Sequence, residues 1–458
     1  MEDSLKILSP CGILGYGYPL TSFQEGLADD PDAIVVDAGS TDAGPHKLGA
    51  GVPIVSRYAC KRDLQPMIRA SLARKIPLII GSAGGSGARV HVEWTLDIIH
   101  EILEEEALWA KIAVIWADIP HEAVLDGIQN GLVESMSPNI LPLCAETVRE
   151  TASVVAQMGV EPIIAALDGG ADIVVCGRAY DPAPFAAVGI RRGFDPALCV
   201  HLGKILECGA LCATPGTTKD CIMGALYPDA FEVYPTNPDR VCETVSVAAH
   251  TFYEKDHPYL LRGPGMVLDL SACTFEAVNS RRVRVRGSRV QNTPVYTIKL
   301  EGARRVGWRS FVVAGIRDPI MIGHLPQAQK DVTEAAKAFF PDPDSYIIDF
   351  INYGINGVMG NAEPCLGQGY APYEVCVLME VVSRQSQENA NDICSYLRSS
   401  LLHYGFKGRK STAGNLAFPF APSDVPFGPV YEFSIYHTME CKDGLEYFPV
   451  EWRNTPHG

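Results

Sequence analysis

Along residues 5–191, short apolar runs alternate with amphipathic stretches, the pattern left by βαβ units wrapped around a parallel sheet. Five runs read as strands: Lys6–Leu8, Ala33–Val36, Ile76–Ile80, Ile112–Trp116 and Asp172–Cys176. Several are unbroken Ile/Val stretches, which suits strands covered on both faces. Between them, Lys61–Arg74, Glu93–Glu105 and Ala145–Met158 carry apolar residues at helical spacing. Residues 194–250 form a connecting region in which Pro196–Cys212 reads as helix and Phe231–Thr244, rich in Pro and Asn, reads as loop.

Farther on the pattern changes to antiparallel strands joined by turns, over Arg282–Val290, Val295–Leu300 and Trp308–Ile316. From Trp308 the order is strand, helix Gln327–Phe340, strand Ser345–Tyr353, strand Glu374–Val382, helix Glu388–His403, strand Tyr431–His437. That βαββαβ order is ferredoxin-like. The fold class expected is therefore α/β, with an open parallel Rossmann-like sheet in residues 1–250 and an antiparallel β and ferredoxin-like α+β domain in residues 251–458.

Composition narrows the function. A chain of 458 residues, 47% hydrophobic and 20% charged, is globular and large enough for a catalytic cleft. Its net charge of −16 repels phosphate backbones and anionic lipid, so neither nucleic acid nor membrane is expected as a partner. The densest basic stretch, Arg281–Arg286, alternates like the solvated face of a strand. Fourteen scattered cysteines, several inside apolar runs, fit a reducing compartment, and without a leader or an 18-residue apolar run a cytoplasmic location is expected.

In a parallel sheet the loops leaving the carboxyl ends of the strands share one edge, where ligands bind. All five such loops here carry Gly, Ser, Asp or Arg: Ser9–Tyr18, Asp37–His46, Gly81–Arg89, the Asp118 turn, and Gly177–Pro182. Each loop taken singly is also explained as an ordinary tight turn. Gly81, Ser82, Ala83, Gly84 and Gly85, ahead of a helix, suit a carboxylate or phosphate through unpaired N–H groups and the helix dipole, although neither the Walker nor the dinucleotide spacing is present. Asp37 and Asp42, with Ser40, Thr41 and His46 nearby, are candidate proton movers or turn caps. Arg178 with Asp181 offers a fork for a ligand acid, or a structural pair. On the helix over 196–212, His201, Lys204 and Cys208 would share a face, with Glu207 beside them. His250 is a further candidate, equally readable as a core histidine. Neither a zinc-protease, a zinc-deaminase nor a serine-hydrolase motif occurs, so no metal ligands are assigned.

These loops carry a family resemblance. Gly15–Gly17, Val36–Pro45, Ile80–Gly85, Cys176–Asp181, Lys204–Ala210, Ser246–Thr251 and Gly414–Phe420 together resemble the acyclic terpene utilisation (AtuA-like) family over nearly the whole chain. The resemblance implies chemistry on branched or unsaturated carboxylic acids or their CoA thioesters, and relatives of this subtype occur beside genes for acid uptake, acyl-CoA chemistry and a small partner protein. It points to a hydratase or dehydratase, with a double-bond isomerase and a non-catalytic acyl-CoA-binding subunit as the alternatives. In that lyase Gly81–Gly85 and Arg178 would hold the acid group and Asp37, Asp42 or Glu207 would move protons, with Cys208 and His250 as further candidates. No cofactor is required, a divalent ion could assist, and self-association is expected of the ferredoxin-like module. Tyr180 and His46 stand where the family pattern has Ser and Tyr.

Overall fold

The computed structural model describes residues 4–253, 256–364, 369 and 372–454. The fold is mixed α/β, built around a large sheet with parallel and antiparallel strands. It separates into two compact units, residues 1–304 with 433–458, and residues 305–432. Residues 251–304, grouped by sequence pattern with the second half, fall in the first unit.

At the centre of the first unit, Leu5–Ser9, Ala33–Asp37, Leu78–Gly81, Ile173–Cys176 and Lys111–Ile115 lie side by side, each parallel to the next. Antiparallel strands continue the sheet on both edges: Ile222–Leu226, Phe231–Pro235, Val283–Arg286 and Thr274–Ala277 beyond Leu5–Ser9, and Val450–Asn454 beyond Lys111–Ile115. Residue parity sorts the core. Ile34, Val36, Ile80 and Val175 pack with residues of helices Arg57–Arg74 and Arg89–Glu105, whereas Val35, Ile79 and Val174 pack with Glu161–Asp168, Ala183–Arg191 and Pro196–Leu206. With helices on both faces every position of Ala33–Asp37 is buried, which explains the unbroken Ile/Val runs.

Three sequence readings are corrected. Ala145–Met158 is not one helix: it stops at Glu150, and Thr151–Ala156 is a strand paired with residues 300–304. The β-branched Thr151, Val154 and Val155 favour the pleated neighbour over a further helical turn. Phe231–Pro235 is a buried strand hydrogen-bonded on both sides, so ladder pairing overrides its Pro-rich flank. Val295–Leu300 and Trp308–Ile316 belong to one strand, Tyr296–Ile316.

In the second unit, residues 308–316 and Tyr346–Tyr353 flank Val375–Ser383 in antiparallel register, and helices Pro319–Phe339 and Gln387–Leu402 supply apolar side chains to the core that also holds Val377, Met379 and Val381. No helix among the described residues is long and apolar enough to cross a membrane.

Candidate functional site

Parallel register puts the ends of all five central strands on one edge, so the loops after Ser9, Asp37, Gly81, Ile115 and Cys176 leave from the same side. Backbone hydrogen bonds stitch them together: Leu14 donates to Asp37 O, Ala38 to Gly81 O, Ala83 to Cys176 O and Arg178 to Gly87 O, all within 3.1 Å. Glycine is required where backbones meet. Gly87 has φ +65°, and a Cβ there would lie 2.2 Å from the Arg178 nitrogen.

Asp37 closes its strand at 6% exposure, and its Oδ1 has no hydrogen-bond partner among the described residues. Burial pushes its carboxyl well above the usual range and the negative charges of Asp181 and Glu207 push it the same way, against Arg178 and the Gly39 backbone. A carboxyl so placed holds its proton more tightly than a solvated aspartate and presents an unclaimed oxygen. Asp118, on the loop after Lys111–Ile115, has one oxygen on the Arg89 N–H at 3.0 Å and the other unpartnered among the described residues, with burial raising its carboxyl. Thr41 and Ser86 carry buried hydroxyls of the same unpartnered kind.

Arg178 is 1% exposed and largely committed inside the protein. Its Nε donates to Glu301 at 2.7 Å; Nη1 donates to Asp181 and the Ala179 carbonyl at 2.7 Å and to Ser82 Oγ at 3.1 Å; Nη2 makes none of these bonds. Glu301, wholly buried, also receives Lys299 at 2.8 Å, and although burial alone would raise it, Arg178 and Lys299 hold its carboxyl at about 2. Glu301 is barely marked in the sequence. Its one trace was a Lys-x-Glu pair at residues 299 and 301, on the strand face opposite Ile298 and Leu300.

Helix Pro196–Leu206 brings the third group. Lys204 Nζ donates to Glu207 at 2.6 Å, both nearly buried, and this partner keeps the ammonium charged against the burial that would discharge it. The helix end presses on the first loop: Ser9 Oγ donates to the Leu206 carbonyl at 2.8 Å, and a Cβ on Gly12 would sit 2.7 Å from the Cys208 carbonyl. Cys208 is half-buried. His250 lies beside this helix. Burial, then the Lys204 charge, lowers it to about 4, and its Nε2 has no partner among the described residues, so the ring is a neutral base. Tyr180 is buried, its hydroxyl pushed up by burial and then by Glu207.

The structure thus gathers Asp37, Arg178, Asp181, Lys204, Glu207 and His250 on one edge. Asp42 is different: it is exposed and takes the Ser40 hydroxyl at 3.0 Å, the geometry of a turn. His46 is half-buried in the short helix Pro45–Ala50. Of the Gly81–Gly85 cradle, the Ala83 and Gly85 N–H groups are already spent on Cys176 O and Ser82 O, at 2.9 and 3.0 Å. No group of three or more His, Cys, Asp or Glu among the described residues could hold a metal ion. The second unit has a cavity of about 250 Å³, but its polar groups serve the fold: Asp318 Oδ1 caps helix Pro319–Phe339 and Arg317 stacks on Tyr373.

The acyclic terpene utilisation family protein AtuA matches residues 57–221 and 234–406, and the chain belongs to that family. No curated protein and no solved structure matches it.

Proposed function

We propose that the protein is a hydro-lyase that adds or removes water across a carbon–carbon double bond next to a carboxylate, on a free acid or its CoA thioester. The observation that carries this reading is Asp37: a buried carboxyl raised above the usual range by that burial, with one oxygen unclaimed on an edge that also holds Lys204, Arg178 and a neutral His250. In the dehydration direction a base removes the proton on the carbon next to the acid group, the hydroxyl on the following carbon leaves with the proton of Asp37, and the C–H pair becomes the double bond. Glu207 and His250 are the groups proposed as that base. Lys204 and the Nη2 of Arg178 are the positive groups for the substrate acid, while the exposed Asp42 drops out of the proton-moving set.

In this proposal the first unit is a Rossmann-like sheet with its ligand at the strand ends, and the second a ferredoxin-like βαββαβ module through which a cytoplasmic homo-oligomer forms. No organic cofactor is needed for the proton transfers described.

The test is incubation of the purified chain with unsaturated and hydroxylated di- and tricarboxylates and CoA thioesters in deuterated water. Product with solvent deuterium and the mass of water added or lost is expected. Deuterium without that mass change identifies a double-bond isomerase, and tight binding without turnover a binding subunit; either outcome overturns the lyase reading. Asp37→Asn should cost about 10²–10⁴-fold in rate with the fold intact.

A further inference from the structure

We infer that Cys273 is a histidine-activated thiol that adds to conjugated carbonyl compounds, a modification site that does not rest on the reaction proposed above. Among the described residues, Cys273, Ser288 and Thr251 gather around His201, a wholly buried residue of helix Pro196–Leu206. Its Nδ1 lies 2.8 Å from Ser288 Oγ and 3.8 Å from Cys273 Sγ, and its Nε2 3.0 Å from Thr251 Oγ1. Cys273 Sγ is also 3.6 Å from Ser288 Oγ. Phe231 meets the imidazole edge-on at 4.9 Å and fixes its plane.

Those residues come from separate parts of the chain. Thr251 ends helix Thr244–Thr251, Ser288 sits between strands Val283–Arg286 and Arg289–Asn292, and Cys273 immediately precedes strand Thr274–Ala277. The arrangement has the parts a nucleophile needs: a half-buried thiol, a base within reach of it, and a further group that orients the base. In the addition, the thiol proton passes to His201 Nδ1, directly or through the Ser288 hydroxyl. Sulfur then bonds to the β-carbon, the C=C pair moves toward the carbonyl, and the proton held on His201 ends on the α-carbon. Nothing leaves, and no oxidant is consumed.

N-ethylmaleimide in limiting amount on the full native chain, followed by peptide mass spectrometry over time, tests the inference. The exposed Cys376 serves as reference in the same molecule. Cys273 should be labelled about 10-fold faster than Cys376 despite its lower exposure, and His201→Gln should slow Cys273 about 10-fold while Cys376 is unchanged. In urea the two rates should converge. Because His201 is buried, Thr251→Val provides a second variant that keeps the ring but removes its orienting hydroxyl, and it should slow Cys273 severalfold. Labelling of native Cys273 no faster than Cys376, or an unchanged Cys273 rate in both variants, would overturn the assignment.

Discussion

The strand ends of the first unit and the strand Val375–Ser383 of the second deal with charge in opposite ways. Ala33–Asp37, Leu78–Gly81 and Ile173–Cys176 are buried at every position, so polar groups collect at their carboxyl ends, where Asp37 and Arg178 lie out of water and Glu301 arrives from strand Tyr296–Ile316. Val375–Ser383 buries only alternate positions, and the others, Glu380 among them, stay at least partly in contact with water. A charge of the first kind weighs heavily because its desolvation is repaid only by a specific partner, whereas a charge of the second kind keeps its hydration and weighs little.

That difference can be broken or sharpened by mutation. The largest effect is expected for Glu301→Ala, which leaves Arg178 buried with Asp181 as its one remaining charged partner among the described residues; a loss of about 3–5 kcal/mol in guanidinium unfolding is expected. A midpoint within error of wild type would show that this edge tolerates charge as a surface does. Gly87→Ala comes next, at about 3 kcal/mol, since it combines strain at φ +65° with a backbone contact that cannot yield.

Asp37→Asn addresses pH. A carboxyl raised in the fold contributes stability that is complete below its unfolded value of about 3.9 and is lost as pH rises toward the folded value. The wild type should therefore fall in stability relative to Asp37→Asn as pH climbs from about 4, and parallel curves would mean that Asp37 is ionised in the fold. Effects in the second unit should be small. Gly323→Ala, within helix Pro319–Phe339 and with nothing near its Cβ position, should gain about 0.5–1 kcal/mol. Lys330→Ala removes an exposed pair with Glu334 at 3.9 Å and should change stability by less than about 0.5 kcal/mol.

Much of the first unit was legible because periodicity is local. Ile79-Ile80 and Val174-Val175 could only be covered on both faces, and the glycine- and aspartate-bearing bends had to follow them. Thr151–Ala156 was misread because its strand partner, residues 300–304, lies far away in the chain, and Phe231–Pro235 because its Pro-rich flank hid both a local hairpin with residues 222–226 and a distant pairing with residues 283–285. Asp37 and Asp42 looked alike five residues apart, and burial alone separates them.

By itself, the sequence determined which polar loops share one edge, because apolar runs and turn residues are written consecutively and a parallel sheet sends its carboxyl ends to one edge. Only the tertiary structure decided what each charged group does there. Arg178 became an anchor when Glu301 arrived from 123 residues later, the Asp37 carboxyl was raised by burial and then by the charges of Asp181 and Glu207, and His201 met Ser288, Thr251 and Cys273 from separate segments. The physical reason is that the state of an ionisable group depends on lost water and on the charges within a few ångströms, and neither is fixed by its neighbours along the chain.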